Sequence, residues 1–261
     1  LNSYKYIIVE DSKFKRTVTL NRAELHNAFN EEFIEELTSV AKEVNSLDKR
    51  LFVLKSNGKS FCAGADLNWM KKMKSYTYEE NVEDSKKLSE MFQAINDIQI
   101  PVIAKVKGYS LGGGTGLIAV CDYVLCEDKS IFGFTEVKLG LIPAVISPFV
   151  IKKIGESHAR AFFLSGKRFS AQKALHMGLV HEVVTNENLD ECFSQVEESF
   201  LNAAPLAVKS AKKLVLEIQA HVNIHEHCIS QISKLRIADE GQVGMEKILN
   251  KQKHNWKEWK K

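Results

Sequence analysis

The sequence predicts an α/β protein: one mixed core over residues 1–188 and an all-helical region over 189–261. Three observations carry that expectation. Short runs rich in β-branched residues alternate with amphipathic stretches as far as Val184, which is the mark of strands interleaved with helices. A strand, a glycine turn and an apolar helix follow one another directly between Pro101 and Val120. From Leu189 onward the spacing is helical throughout, over about 189–202, 205–219, 224–238 and 242–252.

Taken in order, Tyr4–Glu10 and Thr17–Leu20 read as paired strands joined by the polar turn Asp11–Lys15. Residues 21–28 form a loop, and Asn30 is an N-cap for a helix over 31–46 whose apolar positions are Phe33, Leu37, Val40 and Val44. Leu51–Leu54 is a buried strand and Ser56–Ser60 a turn. Residues 71–99 are charged and helical, with Leu88, Met91, Phe92 and Ile95 as the buried stripe. Val102–Val106 is a strand. Gly112, Gly113 and Gly114 then precede Leu117–Val120, which has no polar face and reads as a helix within the core. Helices follow over 144–154 and 157–165, punctuated by Pro148 and Gly155. Ser170 caps a helix over 171–177, and Leu179–Val184 is a strand.

The apolar share of 44%, charged share of 26% and net charge of +3 are those of an ordinary globular protein and argue against a nucleic-acid partner. No apolar stretch approaches the ~20 residues of a membrane span, and no signal-peptide pattern stands at Leu1. Five cysteines without framework spacing indicate reduced thiols. The expected compartment is therefore the cytoplasm, or the mitochondrial matrix in a eukaryote. His221, His225 and Cys228 share a helical spacing but lack a fourth ligand, so no metal site is expected there.

Several rival chemistries meet this sequence. Gly58-Lys59-Ser60 ends like a phosphate loop, but Val53 stands where the upstream glycine is required. Leu117 occupies the last glycine position of a dinucleotide fingerprint counted from Gly112. Gly108-Tyr-Ser-Leu-Gly112 matches the nucleophile elbow of serine hydrolases. The downstream histidines lie in helical segments, however, and further glycines separate Ser110 from the expected helix. What remains is a pair of small-residue turns, Ala63-Gly-Ala65 and Gly112-Gly-Gly114, with bare N–H groups at a helix N-terminus. Such groups suit negative charge on a ligand oxygen. Glu136, in a loop leading to Pro143, supplies a carboxyl group for moving a proton.

Phe61-Cys-Ala-Gly-Ala-Asp-Leu67, Gly108-Tyr-Ser-Leu-Gly-Gly-Gly114 and Glu136-Val-Lys-Leu-Gly-Leu-Ile-Pro143, in this order, resemble the enoyl-CoA hydratase/isomerase (crotonase) superfamily over essentially the whole chain. The resemblance implies a spiral of ββα units with C-terminal trimerisation helices, assembled as a homotrimer or a hexamer of two trimers. It implies an acyl-CoA substrate and no cofactor beyond that coenzyme A. By the same resemblance, the N–H groups of Ala65 and Gly113 hold the thioester oxygen and Glu136 is the acid/base. Arg22, Ala23, Leu25, Ala63, Asp66, Leu67, Gly112 and Gly116 line the acyl-CoA, and Lys251 contacts phosphate from a neighbouring subunit.

The sequence departs from the family at one position. Family hydratases carry a first glutamate where Gly116 stands here. A single glutamate suits double-bond isomerisation, and hydration as well if the water is well held. Gly64–Met70 and Gly140–Val150 resemble bacterial-type methylglutaconyl-CoA or carboxygeranoyl-CoA hydratases, in which glycine at this position is familiar. The expectation is therefore a hydratase of a branched or carboxylated 2-enoyl-CoA, with an isomerase and a non-catalytic CoA-binding protein as alternatives.

Overall fold

The computed structural model describes residues 4–217, 229, 234, 238–250, 252, 256 and 258. His221, His225, Cys228 and Lys251 lie outside the described residues.

Two sheets are built in alternation. The larger has six strands in the order β1 (Ile7–Asp11), β2 (Lys15–Leu20), β3 (Leu51–Ser56), β5 (Val102–Val106), β7 (Tyr123–Glu127) and β10 (Glu182–Val184). The smaller has the order β4 (Ser60–Cys62), β6 (Tyr109–Leu111), β8 (Ile131–Gly133) and β9 (Arg168–Ser170). Strands β3, β5 and β7 each run on within a few residues into β4, β6 and β8. Within each sheet these successive strands pair in parallel. Helices α2 (Leu67–Met73) and α3 (Tyr78–Asn96) return the chain after β4, α4 (Gly113–Ala119) after β6, and α5 (Ser147–Ser165) after β8. Each circuit thus adds one strand to each sheet and then a helix, which makes the spiral of ββα units that the resemblance implied.

The core explains why the strands of the large sheet read as uninterrupted apolar runs. Phe52 and Leu54 of β3 point into a cluster with Phe33, Leu37 and Val40 of α1 (Glu31–Glu43) and with Phe92 and Ile95 of α3. The alternate residues Leu51 and Val53, with Ile103 and Leu125, meet Leu189, Phe193 and Val196 of α7 (Leu189–Leu201) on the opposite face. A parallel sheet covered on both faces leaves no polar alternation in sequence. Helix α6 (Ala171–His176) leads from β9 toward β10, and α8 (Pro205–Glu217) and a helix over Asp239–Leu249 follow α7. Glu240, buried in the last of these, accepts from the N–H groups of Leu206 and Ala207 at the start of α8. Among the described residues no helix is long and apolar enough to cross a membrane.

Several boundaries differ from the sequence expectation. Residues 71–99 are not one helix. The chain breaks after Met73 and restarts at Tyr78, where Thr77 and Glu80 form a reciprocal capping box. The helix after the glycines begins at Gly113 and not at Leu117, with Gly112 as its N-cap. The segments 144–154 and 157–165 form one helical run from Ser147 with Pro148 in its first turn, interrupted where Gly155 adopts φ 75° and ψ 160°. Only Glu182–Val184 of the expected 179–184 strand is extended, and its edge strand partner is β7. Strands β4, β6, β8 and β9 were not expected, because three residues are too few to show a period.

Candidate active site

The site sits where the small sheet meets the N-terminus of α4. Strands β4 and β6 are parallel neighbours, so the turns that follow them, Ala63–Asp66 and Gly112–Gly114, lie side by side. Their approach is as close as backbone permits. Gly64 has φ +94°, and a Cβ there would lie 2.9 Å from the Leu111 carbonyl oxygen. A Cβ at Gly114 would lie 2.1 Å from the Cys62 carbonyl oxygen, well inside contact. The glycines are therefore required by the seam between the two turns.

That seam leaves two donors unused. Phe29 bonds the residues on either side of Ala65: Phe29 N–H donates to Gly64 O (2.7 Å) and Asp66 N–H donates to Phe29 O (2.8 Å). No hydrogen bond among the described residues uses the N–H of Ala65 or of Gly113, the first residue of α4. Ala65 is exposed and Gly113 half-buried. The helix dipole adds positive potential at Gly113. At the other end of α4, Lys153 donates from Nζ to the carbonyls of Ile118 and Cys121, and burial pulls its pKa down.

Glu136 begins a short 3-10 turn, Glu136–Leu139, that follows β8. Its Oε1 lies 3.1 Å from where a Cβ at Gly112 would stand, so the carboxyl group lies against the N-cap of α4. Its Oε2 is buried and has no hydrogen-bond partner among the described residues. Burial pushes its pKa above the ordinary 4.5, and its own backbone N–H only partly offsets this. An unsatisfied, half-buried carboxyl beside two idle N–H groups is an expensive arrangement for stability alone.

Gly116 lies one turn into α4 and is fully covered. A Cβ there would lie 2.3 Å from Ile146 Cγ2 and 3.1 Å from Phe92 Cε1. Ile146 and Phe92 are buried, and Phe92 packs edge-on against Phe29. The space beside Gly116 is therefore filled by hydrocarbon, and Glu136 has no second carboxyl group opposite it at this position. Ile146 lies 30 residues away in the chain, inside the Gly140–Val150 stretch that carries the finer resemblance, but nothing in the sequence places its side chain over Gly116.

The loop 21–29 is fastened to the same seam from outside. The Arg22 side chain donates from Nη1 to Ala28 O (2.9 Å), stacks on Tyr6, and forms a 2.6 Å ion pair through Nη2 with Asp66. Asp66 also caps α2 by accepting from Asn68 and Trp69 N–H. Burial pushes the Asp66 pKa up, but these N–H groups and Arg22 together hold it below its ordinary 3.8. The stability this contributes is present above pH ~4 and lost as pH falls through the depressed value. Asn27, fully buried at φ 54°, completes the tie with hydrogen bonds to Asn57 O and Ser60 O. Nothing in its sequence neighbourhood marked it.

The expected site residues thus divide by surroundings. Ala63 donates its N–H to His26 O, and Ala23 packs against Gly58. Leu25 and Leu67 are exposed apolar side chains on the two fastened segments. Arg22 and Asp66 face each other in the interior at 7% and 4% exposure, so what these positions offer a ligand is backbone. Replacing Arg22 by Met would leave Asp66 buried without its cation. Urea unfolding is expected to show a loss of about 3–5 kcal/mol, the usual result of stranding a buried charge. A loss under about 1 kcal/mol would mean that solvent reaches Asp66. Ser110 lies within β6, and its buried Oγ has no hydrogen-bond partner among the described residues, so the nucleophile-elbow reading lacks a base. The spacing argument against that reading does not hold, because α4 starts only three residues after Ser110. Among the described residues no group of acidic, histidine and cysteine side chains is arranged to hold a metal ion.

Comparison with known proteins bears on the same geometry. The sequence model of the enoyl-CoA hydratase/isomerase family matches residues 16–260. The chain is 32% identical over 226 residues to the enoyl-CoA hydratase AKT6-1 of Alternaria alternata, covering 85% of this chain and 73% of that one. A solved enoyl-CoA hydratase from Shewanella pealeana superimposes with a TM-score of 0.91 at 33% identity, over 97% of this chain and 96% of its own. An enoyl-CoA hydratase/isomerase from Marinobacter aquaeolei gives 0.90 at 29%, over 97% and 99%. A sequence match over nearly the full length and a shared spiral carry one conclusion: this chain belongs to the enoyl-CoA hydratase/isomerase (crotonase) family.

Proposed function

We propose that the protein is a hydratase adding water across the double bond of a branched or carboxylated 2-enoyl-CoA thioester, of the methylglutaconyl-CoA kind. The hydration chemistry is supported by the buried, unpartnered Glu136 Oε2 beside the unused N–H groups of Ala65 and Gly113, and the branched or carboxylated acyl group by the resemblance of Gly64–Met70 and Gly140–Val150 alone. In the proposed reaction the thioester oxygen accepts both N–H groups. Glu136, ionised, takes a proton from water while the water oxygen bonds to C3. The C2=C3 electron pair moves toward the carbonyl, and the negative charge gathers on the thioester oxygen. Glu136 then returns its proton to C2. Each such donor is worth roughly 3–4 kcal/mol in acyl-transfer enzymes, enough together to bring an enolate within reach of a carboxylate base.

The coenzyme A would lie along the backbone of Arg22, Ala23, Leu25, Ala63, Asp66 and Leu67, with the exposed Leu25 and Leu67 side chains against its apolar arm. No other cofactor enters the scheme. Leu139, Leu141 and Ile142, exposed in the loop just after Glu136, supply an apolar wall for an acyl chain or for a neighbouring subunit in a trimer or hexamer. Lys251 is the proposed phosphate contact across such an interface.

A second reading rests on one observation. With Ile146 filling the space beside Gly116, a lone carboxyl group is also suited to carrying a proton from C2 of a 3-enoyl-CoA to its C4 in an enoyl-CoA isomerase. Incubation with methylglutaconyl-CoA, crotonyl-CoA and a 3-enoyl-CoA separates the two. Hydration removes the conjugated-enoyl absorbance, fastest for methylglutaconyl-CoA, whereas isomerisation creates that absorbance from the 3-enoyl compound. No change with any of the three would leave a CoA-binding protein without turnover.

A further inference from the structure

On the large sheet, away from the seam, a second polar site stands at the C-terminal ends of two parallel strands. Lys55 near the end of β3, Lys105 near the end of β5, and Lys107 just beyond it line one cavity of about 350 Å³. Ser56, Asn186 and Asp190 at the start of α7 complete its walls. We infer that this cavity binds a phosphate-bearing anion through Lys55, Lys105 and Lys107.

Charge balance carries the argument. Three lysines line the cavity and Asp190 is the one acidic residue among its walls. All three lie close enough to hold the Asp190 pKa down, Lys105 most strongly through its hydrogen bond, then Lys107 and Lys55 through charge alone. Asp190 cannot neutralise them. It is paired with Lys105, and its side chain is 87% exposed while that of Lys105 is 24% exposed, so the pair is a rim contact. Lys55 has only a 3.8 Å contact with Glu10, on a carboxylate that is itself 64% exposed. Lys107 is half-buried, and no ion pair to it occurs among the described residues.

Half-burying like charges around one cavity is unfavourable unless an anion joins them. Ser56 lines the cavity as well, and its Oγ is buried without a hydrogen-bond partner among the described residues. The start of α7 adds the positive end of a thirteen-residue helix, with no side-chain cap from Asn188. Ammonium point charges and a helix N-terminus together match tetrahedral phosphate oxygens better than a planar carboxylate.

The cavity is separate from the catalytic seam but touches its scaffold. Asn57, which also lines it, holds Asn21 and Asn27 of the fastened loop. The phosphate therefore has two sources, the coenzyme A portion of a bound thioester or a free phosphorylated metabolite.

Calorimetric titration of the whole protein with inorganic pyrophosphate tests the site without relying on turnover. Saturable binding below about 1 mM is expected at low salt, weakening steeply as salt is raised. Lys55→Met/Lys107→Met should lose at least about tenfold in affinity, and Lys107→Arg should retain it. Absence of saturation, or equal binding by wild type and the double variant, overturns the proposal. The source is read from competition. Pyrophosphate raising KM for a CoA thioester but not for the matching pantetheine thioester assigns the site to coenzyme A. Binding that leaves both KM values unchanged assigns it to a free anion.

Discussion

Glu136→Gln is expected to lower kcat for the preferred enoyl-CoA by about 10²–10⁴, the usual worth of a positioned acid/base, and to leave thioester affinity within about threefold. The reason is that the amide keeps the shape of the side chain against Gly112 but cannot take a proton from water. The wild-type enzyme should also show kcat/KM rising with pH through a value above 4.5, because burial favours the protonated acid and the base must be ionised. The same burial gives a stability signature of opposite sign. A carboxyl whose folded pKa is raised binds its proton more tightly when folded, so its contribution is fully present below about 4.5 and is lost as pH rises through the raised value. At neutral pH the native protein therefore carries the cost of an ionised, poorly solvated group. Glu136→Gln should be the more stable protein at pH 7 and lose that advantage near pH 4. A variant that keeps more than about a tenth of the activity would remove Glu136 from the reaction. One that loses both activity and stability would make it a structural residue.

How much of this was visible beforehand follows from the length of the signals. Long periodic stretches such as Phe33–Val44 and the uniformly apolar Val102–Val106 were legible, because burial of a face imposes its period on many residues. The three-residue strands of the small sheet were not, since their existence depends on pairing with partners tens of residues away, as Tyr109–Leu111 does with Ile131–Gly133. The paired glycine turns could be located from residue types alone. That they interlock could not be. The contact of Gly114 with Cys62 O belongs to the space between two segments about 50 residues apart. Arg22 shows the same limit from the other side: the resemblance puts it among the residues expected to line an acyl-CoA, and only its burial against Asp66 makes it a fastener.

Gly116→Glu is expected to fold poorly, with a loss of more than about 3 kcal/mol in urea unfolding or a failure to accumulate as soluble protein. Two costs add at this position. The first atom of the new side chain would stand 2.3 Å from Ile146 Cγ2 and 3.0 Å from Ile146 Cβ, both on a buried β-branched residue that cannot turn away cheaply. The carboxyl beyond it would extend from a point hemmed in by hydrocarbon of Ile146 and Phe92, where ionisation is penalised. Ile146→Ala alone should cost about 2–5 kcal/mol as an ordinary cavity. Combined with Gly116→Glu it should cost less than the two single losses added, because each change relieves the other. That non-additivity is the measurement that matters. If the two losses simply add, Ile146 is not what excludes a side chain here. If they couple, the hydrocarbon plug and the bare glycine are one feature of the fold, and a reaction run by one carboxyl group is built into the packing around α4.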